Sequence, residues 1–479
     1  MVFNSVIFIF CFLPIFLLIY YFVPARARNP VLFAGSLFFY AWGDPTYLVL
    51  MLFSSFFNYY MGKELGKITD EDPSRKRNLI FAVVINLLIL GFFKYWGFFL
   101  DTISGVTGLK LTYPQLALPI GLSFYTFKNL SYILDIYMGK TEPCKGFFPY
   151  AVYSTMFPHM TAGPIVRYTD ISESISRRSI NTTRLGAGAE LFIKGLSKKV
   201  LLADNLSALY TTLQASGTTS FVGTWLAIGA YTLELYFDFS GYSDMAIGLG
   251  QMLGFNFNKN FDYPYISTSV SEFWRRWHIS LGSWFRDYIY IPLGGNRVST
   301  GRHIRNILVV WALTGLWHGA SWKYIVYGLY YYLIMMMGLL LAPVFTKIKD
   351  TWHLHEQRKG YRLFCILRTV LIVFGGMLIF RAHSLDDALQ MLLRIFTMQE
   401  TDILAHGLTL VDFGILIWGL VLMFIIAGLK ERRVNLFALF DQKSLLLRYG
   451  IILIIGVSII VFGIYGHGYQ ASDFIYGEF

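Results

Sequence analysis

The sequence predicts an all-α, polytopic membrane protein with broken or re-entrant helices, and three observations carry that reading. Of 479 residues, 55% are hydrophobic and only 14% are charged, where a soluble protein would carry about 25% charged. Mean hydropathy is +0.52. Apolar runs of membrane-crossing length recur from end to end, whereas a closed β-barrel would show alternating segments of about 10 residues.

A span needs roughly 20 apolar residues. Taken in order, candidate segments are 3–23, 31–43, 47–61, 79–100, 116–138, 145–160, 188–203, 221–238, 241–256, 307–322, 323–345, 362–380, 409–428 and 446–465. These amount to 11–14 membrane segments. Those too short to cross alone are expected to be broken or buried in protein, where other groups satisfy the backbone. Residues 3–23 follow no basic leader or small-residue cleavage site, so they read as a retained first span.

Basic loops set the orientation. Arg26 and Arg28 follow the first span, and Arg75, Lys76 and Arg77 precede the fourth. Arg297, Arg302 and Arg305 precede segment 307–322, while Lys430, Arg432 and Arg433 precede the last. Placing all of these in the cytoplasm puts the N-terminus, the loop near 382–408 and the tail from His467 outside. The net charge of +11 then records orientation and contact with membrane lipids, not nucleic-acid binding. Cys11, Cys144 and Cys365 are scattered and imply neither a disulfide framework nor a metal site.

Two histidines bracketed by tryptophan stand out: His278 in Trp274-Arg275-Arg276-Trp277-His278 and His318 in Trp317-His318-Gly319. An ionisable group at membrane depth is expensive and usually faces a functional cavity, and histidine moves protons near neutral pH. The two are expected to meet in one site. His318 lies about eleven residues into its segment, about 16 Å along a helix and near the bilayer midplane. Residues 259–297 mix aromatics with cations and read as an amphipathic helix at the cytoplasmic interface. Lipid anchoring accounts for that composition. The sharper reading makes Arg275, Arg276 and Arg286 a funnel for an anionic substrate such as a phosphopantetheine thioester, since guanidinium binds phosphate bidentately.

Asp238 and Asp244 lie in an apolar stretch and either orient an imidazole or serve as buried acceptors between helices. Asp135 reads as a buried acceptor. Gly248, Gly250 and Gly254 read as close helix packing, not a dinucleotide loop, because no strand precedes them. His353-Leu354-His355-Glu356 has a faint metal-ligand look, but it falls in a basic loop and no metal is expected.

The order of Phe237-Asp238-Phe239-Ser240-Gly241-Tyr242-Ser243-Asp244, Phe273-Trp274-Arg275-Arg276-Trp277-His278-Ile279-Ser280-Leu281, Tyr290-Ile291-Pro292-Leu293-Gly294-Gly295, Gly315-Leu316-Trp317-His318-Gly319-Ala320 and Phe380-Arg381-Ala382 resembles the membrane-bound O-acyltransferase superfamily, most closely its alginate O-acetyltransferase branch. The resemblance implies one membrane domain over 1–479, with helices around a central funnel or tunnel. It implies that His318 is the catalytic base and His278 a second catalytic position, with Trp277 and Trp317 beside the substrate. It further implies transfer of an acetyl group from a cytoplasmic thioester, acetyl-coenzyme A or another, with no tightly bound cofactor. The acceptor is then a hydroxyl of a secreted or membrane-anchored acetyltransferase working with polysaccharide synthesis machinery at a bacterial cytoplasmic membrane. D-alanyl transfer to teichoic acid and peptidoglycan O-acetylation are narrower alternatives.

The residues agree with such chemistry. Neutral imidazole can take the hydroxyl proton as the ester bond forms, and an apolar setting favours its uncharged form. The oxyanion needs a donor: His278, a tryptophan indole N–H or a backbone N–H at Gly319. No GxSxG elbow and no cysteine near the histidines supports a protein nucleophile. From another class, a proton-coupled transporter would also use broken helices and midplane histidines, but no symmetric pair of interrupted segments is visible. A scaffold that only docks the acetylating partner is a third alternative.

Overall fold

The computed structural model describes residues 1–114, 116–215, 221–354, 358–394, 396, 409–434, 439–440 and 442–463. The chain is helical from a π-helical turn at Phe8–Phe12 onward. The first group is α1 (Leu13–Phe22), α2 (Arg28–Gly43), α3 (Leu48–Leu65), α4 (Pro73–Thr107), α5 (Leu122–Tyr137) and α6 (Phe147–Thr155). Then come α7 (Tyr168–Ser176), α8 (Thr182–Ser197), α9 (Asp204–Ala215) and α10 (Phe221–Met252). Two short helices, α11 (Val270–Arg276) and α12 (Ile279–Phe285), precede α13 (Thr300–His318), α14 (Trp322–Leu340), α15 (Ala342–Thr351) and α16 (Lys359–Arg381). The chain closes with α17 (Leu385–Arg394), α18 (Leu410–Glu431) and α19 (Leu445–Phe462).

Among the described residues, α4, α14, α16, α18 and α19 are long and apolar enough to cross a bilayer. Nothing in the apolar window of α19 is buried by protein, as befits a helix whose solvent is lipid. The chain is an integral membrane protein. Helix ends that carry the basic loops are tied together, giving the molecule a basic face. There Tyr20 donates to the Leu253 carbonyl at 2.8 Å, Arg178 to Asn29 at 2.7 Å, Arg368 to the Thr268 carbonyl at 2.8 Å and Lys430 to Asp262 at 2.6 Å.

Two expectations change. Segments 221–238 and 241–256 are one continuous helix, α10, of 32 residues. Its Ser240-Gly241 is no break, because the glycine is used for close packing. A Cβ on Gly241 would sit 2.8 Å from the Gly195 carbonyl of α8, and one on Gly188 would sit 2.5 Å from the Gly248 carbonyl. The glycine-packing reading therefore holds for Gly248, while Gly250 makes room for the Phe257 ring and Gly254 turns the chain at φ 87°. Second, 259–297 is not one interfacial helix. His278 adopts φ 44°, ψ 55° and separates α11 from α12.

The boundary between segments 307–322 and 323–345 is a break in the helix. α13 ends at His318, Gly319 is extended, and α14 starts at Trp322. The two pack as a hairpin, with a Cβ on Gly315 placed 2.3 Å from the Tyr324 carbonyl and one on Gly328 placed 2.4 Å from the Trp311 carbonyl. Because α13 starts at Thr300 and not 307, His318 is its last residue and lies about 27 Å along the axis. It closes the helix.

Candidate active site

His278 is the residue that turns the chain between α11 and α12, and a left-handed backbone is uncommon for any residue other than glycine. Asn260 fixes it there. The Asn260 carbonyl oxygen Oδ1 lies 3.2 Å from His278 Nδ1 and accepts from the Ser280 backbone N–H at 3.2 Å and its hydroxyl at 2.9 Å. Two donors from Ser280 fix that atom as an acceptor, so His278 Nδ1 carries the hydrogen and Nε2 keeps the lone pair. Asn260 is wholly buried. Its amide donates to Ser243 of α10 at 3.1 Å, and its backbone carbonyl accepts from Ile279 at 2.9 Å.

His318 is 2% exposed and His278 3%. The His318 ring meets Trp317 at 5.0 Å, Phe380 at 5.1 Å and Tyr327 at 5.5 Å between centroids. Trp317 also meets His278 at 5.6 Å, so one indole lies between both imidazoles. The helix end that presents His318 is closed by α4. Lys94 donates to the Trp317 carbonyl at 2.5 Å and Tyr95 to the Leu316 carbonyl at 2.6 Å. These are orphan carbonyls of a helix C-terminus, where a cation is favoured. The Gly319 N–H turns back to the Leu316 carbonyl at 3.2 Å, which removes it from the oxyanion candidates.

Both histidines line one cavity of about 330 Å³ together with Trp274, Trp277, Trp311 and Thr314. Arg275, Arg286, Gly282 and Val310 belong to its wall and also to that of a chamber of about 830 Å³, so the two adjoin. Met335 of α14, Phe345 of α15 and Arg368 of α16 complete the larger chamber. Trp277 sits among Phe261, Phe273 and Tyr236.

Four predicted site residues line neither cavity: Trp317, which lies between the two imidazoles, and three others that lie elsewhere. Arg276 does not line either cavity. It pairs with Glu272 at 2.7 Å and donates to the Asp262 carbonyl at 3.3 Å, because one residue along a helix turns a side chain by about 100°. Asp238 accepts from Lys199 at 2.7 Å, and Asp244 from Lys198 at 2.8 Å and Lys194 at 3.2 Å. These acids tie α10 to α8 and the π-helical turn Lys198–Ala203, while the His278 imidazole is oriented by Asn260. Asp135 is the buried acceptor expected, receiving the Tyr288 hydroxyl at 2.9 Å. Of the faint metal motif, His355 and Glu356 fall outside the described residues.

Sequence reasoning missed Asn260, Lys94 and Tyr95. Asn260 is one of three asparagines in the aromatic stretch 255–265, with Asn256 and Asn258, and nothing local singles it out. The lysine and tyrosine, more than 200 positions away from the carbonyls they hold, left no signal either.

Membrane helices enclosing two imidazoles in a cavity that adjoins an arginine-walled chamber define a membrane-embedded group-transfer enzyme. The chain belongs to the membrane-bound O-acyltransferase family, whose family model matches residues 46–382, and it is an O-acyltransferase. It is 41% identical over 406 residues to the probable alginate O-acetylase AlgI of Azotobacter vinelandii, covering 84% of this chain and 79% of that one. It is 33% identical over 429 residues to the peptidoglycan O-acetyltransferase of Helicobacter pylori, covering 82% and 79%. Against the teichoic acid D-alanyltransferase of Bacillus subtilis it is 27% identical over 272 residues, covering 53% and 66%.

Proposed function

We propose that this enzyme moves an acetyl group from a cytoplasmic thioester, acetyl-coenzyme A or a carrier-bound equivalent, to a hydroxyl reached from the other side of a bacterial cytoplasmic membrane. The observation that carries the proposal is the shared cavity of His278 and His318, which adjoins the Arg275–Arg286 chamber. By the charge rule the basic face is cytoplasmic, so the chamber takes the thioester and its arginines hold the donor phosphates.

His318 takes the proton of the acceptor hydroxyl as its oxygen attacks the thioester carbonyl. The tetrahedral oxyanion then collapses, the carbon–sulfur bond breaks, and the thiolate leaves with the proton held by His318. Acceptor oxygen, acetyl carbon and proton are thereby all accounted for, with no protein nucleophile. His278, with its hydrogen on Nδ1, offers a lone pair and orients the hydroxyl. The indole N–H of Trp274 is the donor assigned to the oxyanion, being buried, without an acceptor among the described residues, and part of the same cavity wall.

The acceptor belongs to a secreted or membrane-anchored acetyltransferase that O-acetylates an extracellular polysaccharide. Alginate is favoured by the more similar relatives and their coverage of this chain. Peptidoglycan is the second reading, supported by the Helicobacter relative. Thiol release from acetyl-coenzyme A by the purified protein tests the reaction. Activity that survives in His318→Ala would refute the role of that base. Acetylated alginate or muropeptide in cells expressing the gene separates the two polymers.

A further inference from the structure

At the basic face, outside the histidine cavity and its chamber, the α1–α2 turn meets the α7–α8 turn around a cavity of about 550 Å³. Arg26, Arg28, Arg177 and Arg178 line it with no carboxylate among the lining residues. Other arginines of this face are neutralised: Arg276 by Glu272, Arg167 by Asp287, and Arg362 by Glu431. Among the described residues, the four here pair with no carboxylate.

Arg178 is the built part of the site. Its guanidinium is clamped between Tyr20 and Phe255, at 5.6 and 4.8 Å. It donates to the Tyr20 hydroxyl at 2.6 Å, to Asn29 at 2.7 Å and to the Ser174 and Ile175 carbonyls at 3.3 Å each. Every one of these acceptors is neutral, so the positive charge is oriented but uncompensated. Arg178 Nη2 and Arg28 Nε are both buried with no acceptor among the described residues. A guanidinium held with spare donors and no counter-charge is complementary to a phosphate, which accepts several charge-assisted hydrogen bonds at once. Arg28 also opens α2, so the N-terminal end of that helix adds its partial positive charge.

We propose that this cavity binds a phosphate group, and that its source is an anionic phospholipid of the inner leaflet. The turn of α1 before Arg26 exposes Leu18, Ile19 and Phe22, the last 83% exposed, an apolar track along which acyl chains can run from a headgroup seated at the arginines. The site is independent of the acyl-transfer reading, because none of its residues lines the histidine cavity or its chamber.

Native mass spectrometry of the detergent-purified full chain tests this, with phosphatidylglycerol, phosphatidylcholine and inorganic phosphate as probes. The expected result is retention of phosphatidylglycerol over phosphatidylcholine. Arg28→Gln with Arg177→Gln should lower that retention about tenfold, the factor carried by one charge-assisted hydrogen bond. Arg432→Gln with Arg433→Gln, a basic pair elsewhere on the chain, should leave it unchanged. Arg178→Gln should abolish it, and because Arg178 also braces the fold, the Arg28 and Arg177 variants decide if it fails to express. Displacement of the lipid by millimolar inorganic phosphate assigns the same pocket to free phosphate, and no displacement assigns it to lipid. Equal retention of both lipids, or equal loss in the Arg432–Arg433 control, overturns the site.

Discussion

Two of the regions that bury ionisable side chains treat them in opposite ways. Along the seam of α8 and α10, Lys199 bridges Asp204 and Asp238 while Lys194 and Lys198 share Asp244. Each charge meets its opposite, and the glycines that bring the helices together leave no room for a ligand. Around His278 and His318 the hydrogen bonds and ring contacts named above are with neutral groups, the nearby charge of Lys94 has the same sign as a protonated imidazole, and a cavity adjoins them. In an apolar medium a buried charge with its counter-ion is a fastener, whereas a titratable group with neutral partners and open space can exchange a proton. Charge burial alone does not distinguish a site from a seam; partners and space do.

The sharpest way to break this contrast is to exchange the outcomes. His318→Ala should cut thiol release by about 10³-fold while leaving melting and yield intact, as expected for loss of a general base. Asp238→Asn should do the reverse. It should lower stability by about 3 kcal/mol, the cost of breaking a buried pair, measured by thermal denaturation in detergent, while the folded fraction keeps its specific activity. Were Asp238→Asn stable yet inactive, the seam would belong to the site.

Smaller effects sharpen the boundary. Asn260→Ala removes the acceptor that sets the His278 tautomer and should lower kcat about tenfold, with donor KM unchanged. Arg275→Ala with Arg286→Ala should raise donor KM several-fold with kcat kept, about 1 kcal/mol of lost phosphate contact, while Arg276→Ala leaves KM alone. Smallest is a pH effect at Glu272, on the basic face. Burial pushes its carboxyl up, but hydrogen bonds from the Thr268 N–H, from Arg276 and from the Thr268 hydroxyl outweigh this and hold it below the ordinary carboxylate range. A depressed folded value gives stability that is present above the unfolded pKa of about 4.3 and lost as pH falls through the folded one. Acid unfolding followed by tryptophan fluorescence should therefore shift to higher pH in Glu272→Gln.

Much of this architecture was legible because lipid imposes a length on every crossing. Segments 323–345, 362–380, 409–428 and 446–465 correspond to α14, α16, α18 and α19 within a few residues. The break after His318 was legible too, because Gly319 interrupts an otherwise apolar run. Hydropathy reports composition and says nothing of facing, which is why Arg275 and Arg276 were equivalent in sequence and diverge in space. The same blindness split α10 at Ser240-Gly241, where polarity and a glycine signal a turn but helix-on-helix contact required them. Asn260 and Lys94 act through partners that only the tertiary fold brings near, and no local pattern marks them.

The left-handed backbone at His278 also governs what protein engineers will find there. At φ 44° a branched β-carbon crowds the neighbouring peptide, while asparagine, aspartate and glycine are accommodated. A saturation library at this codon should thus be winnowed by shape before chemistry. Valine, isoleucine and threonine should vanish from the expressed pool, and the survivors will be the few residue types whose main chain can bend this way.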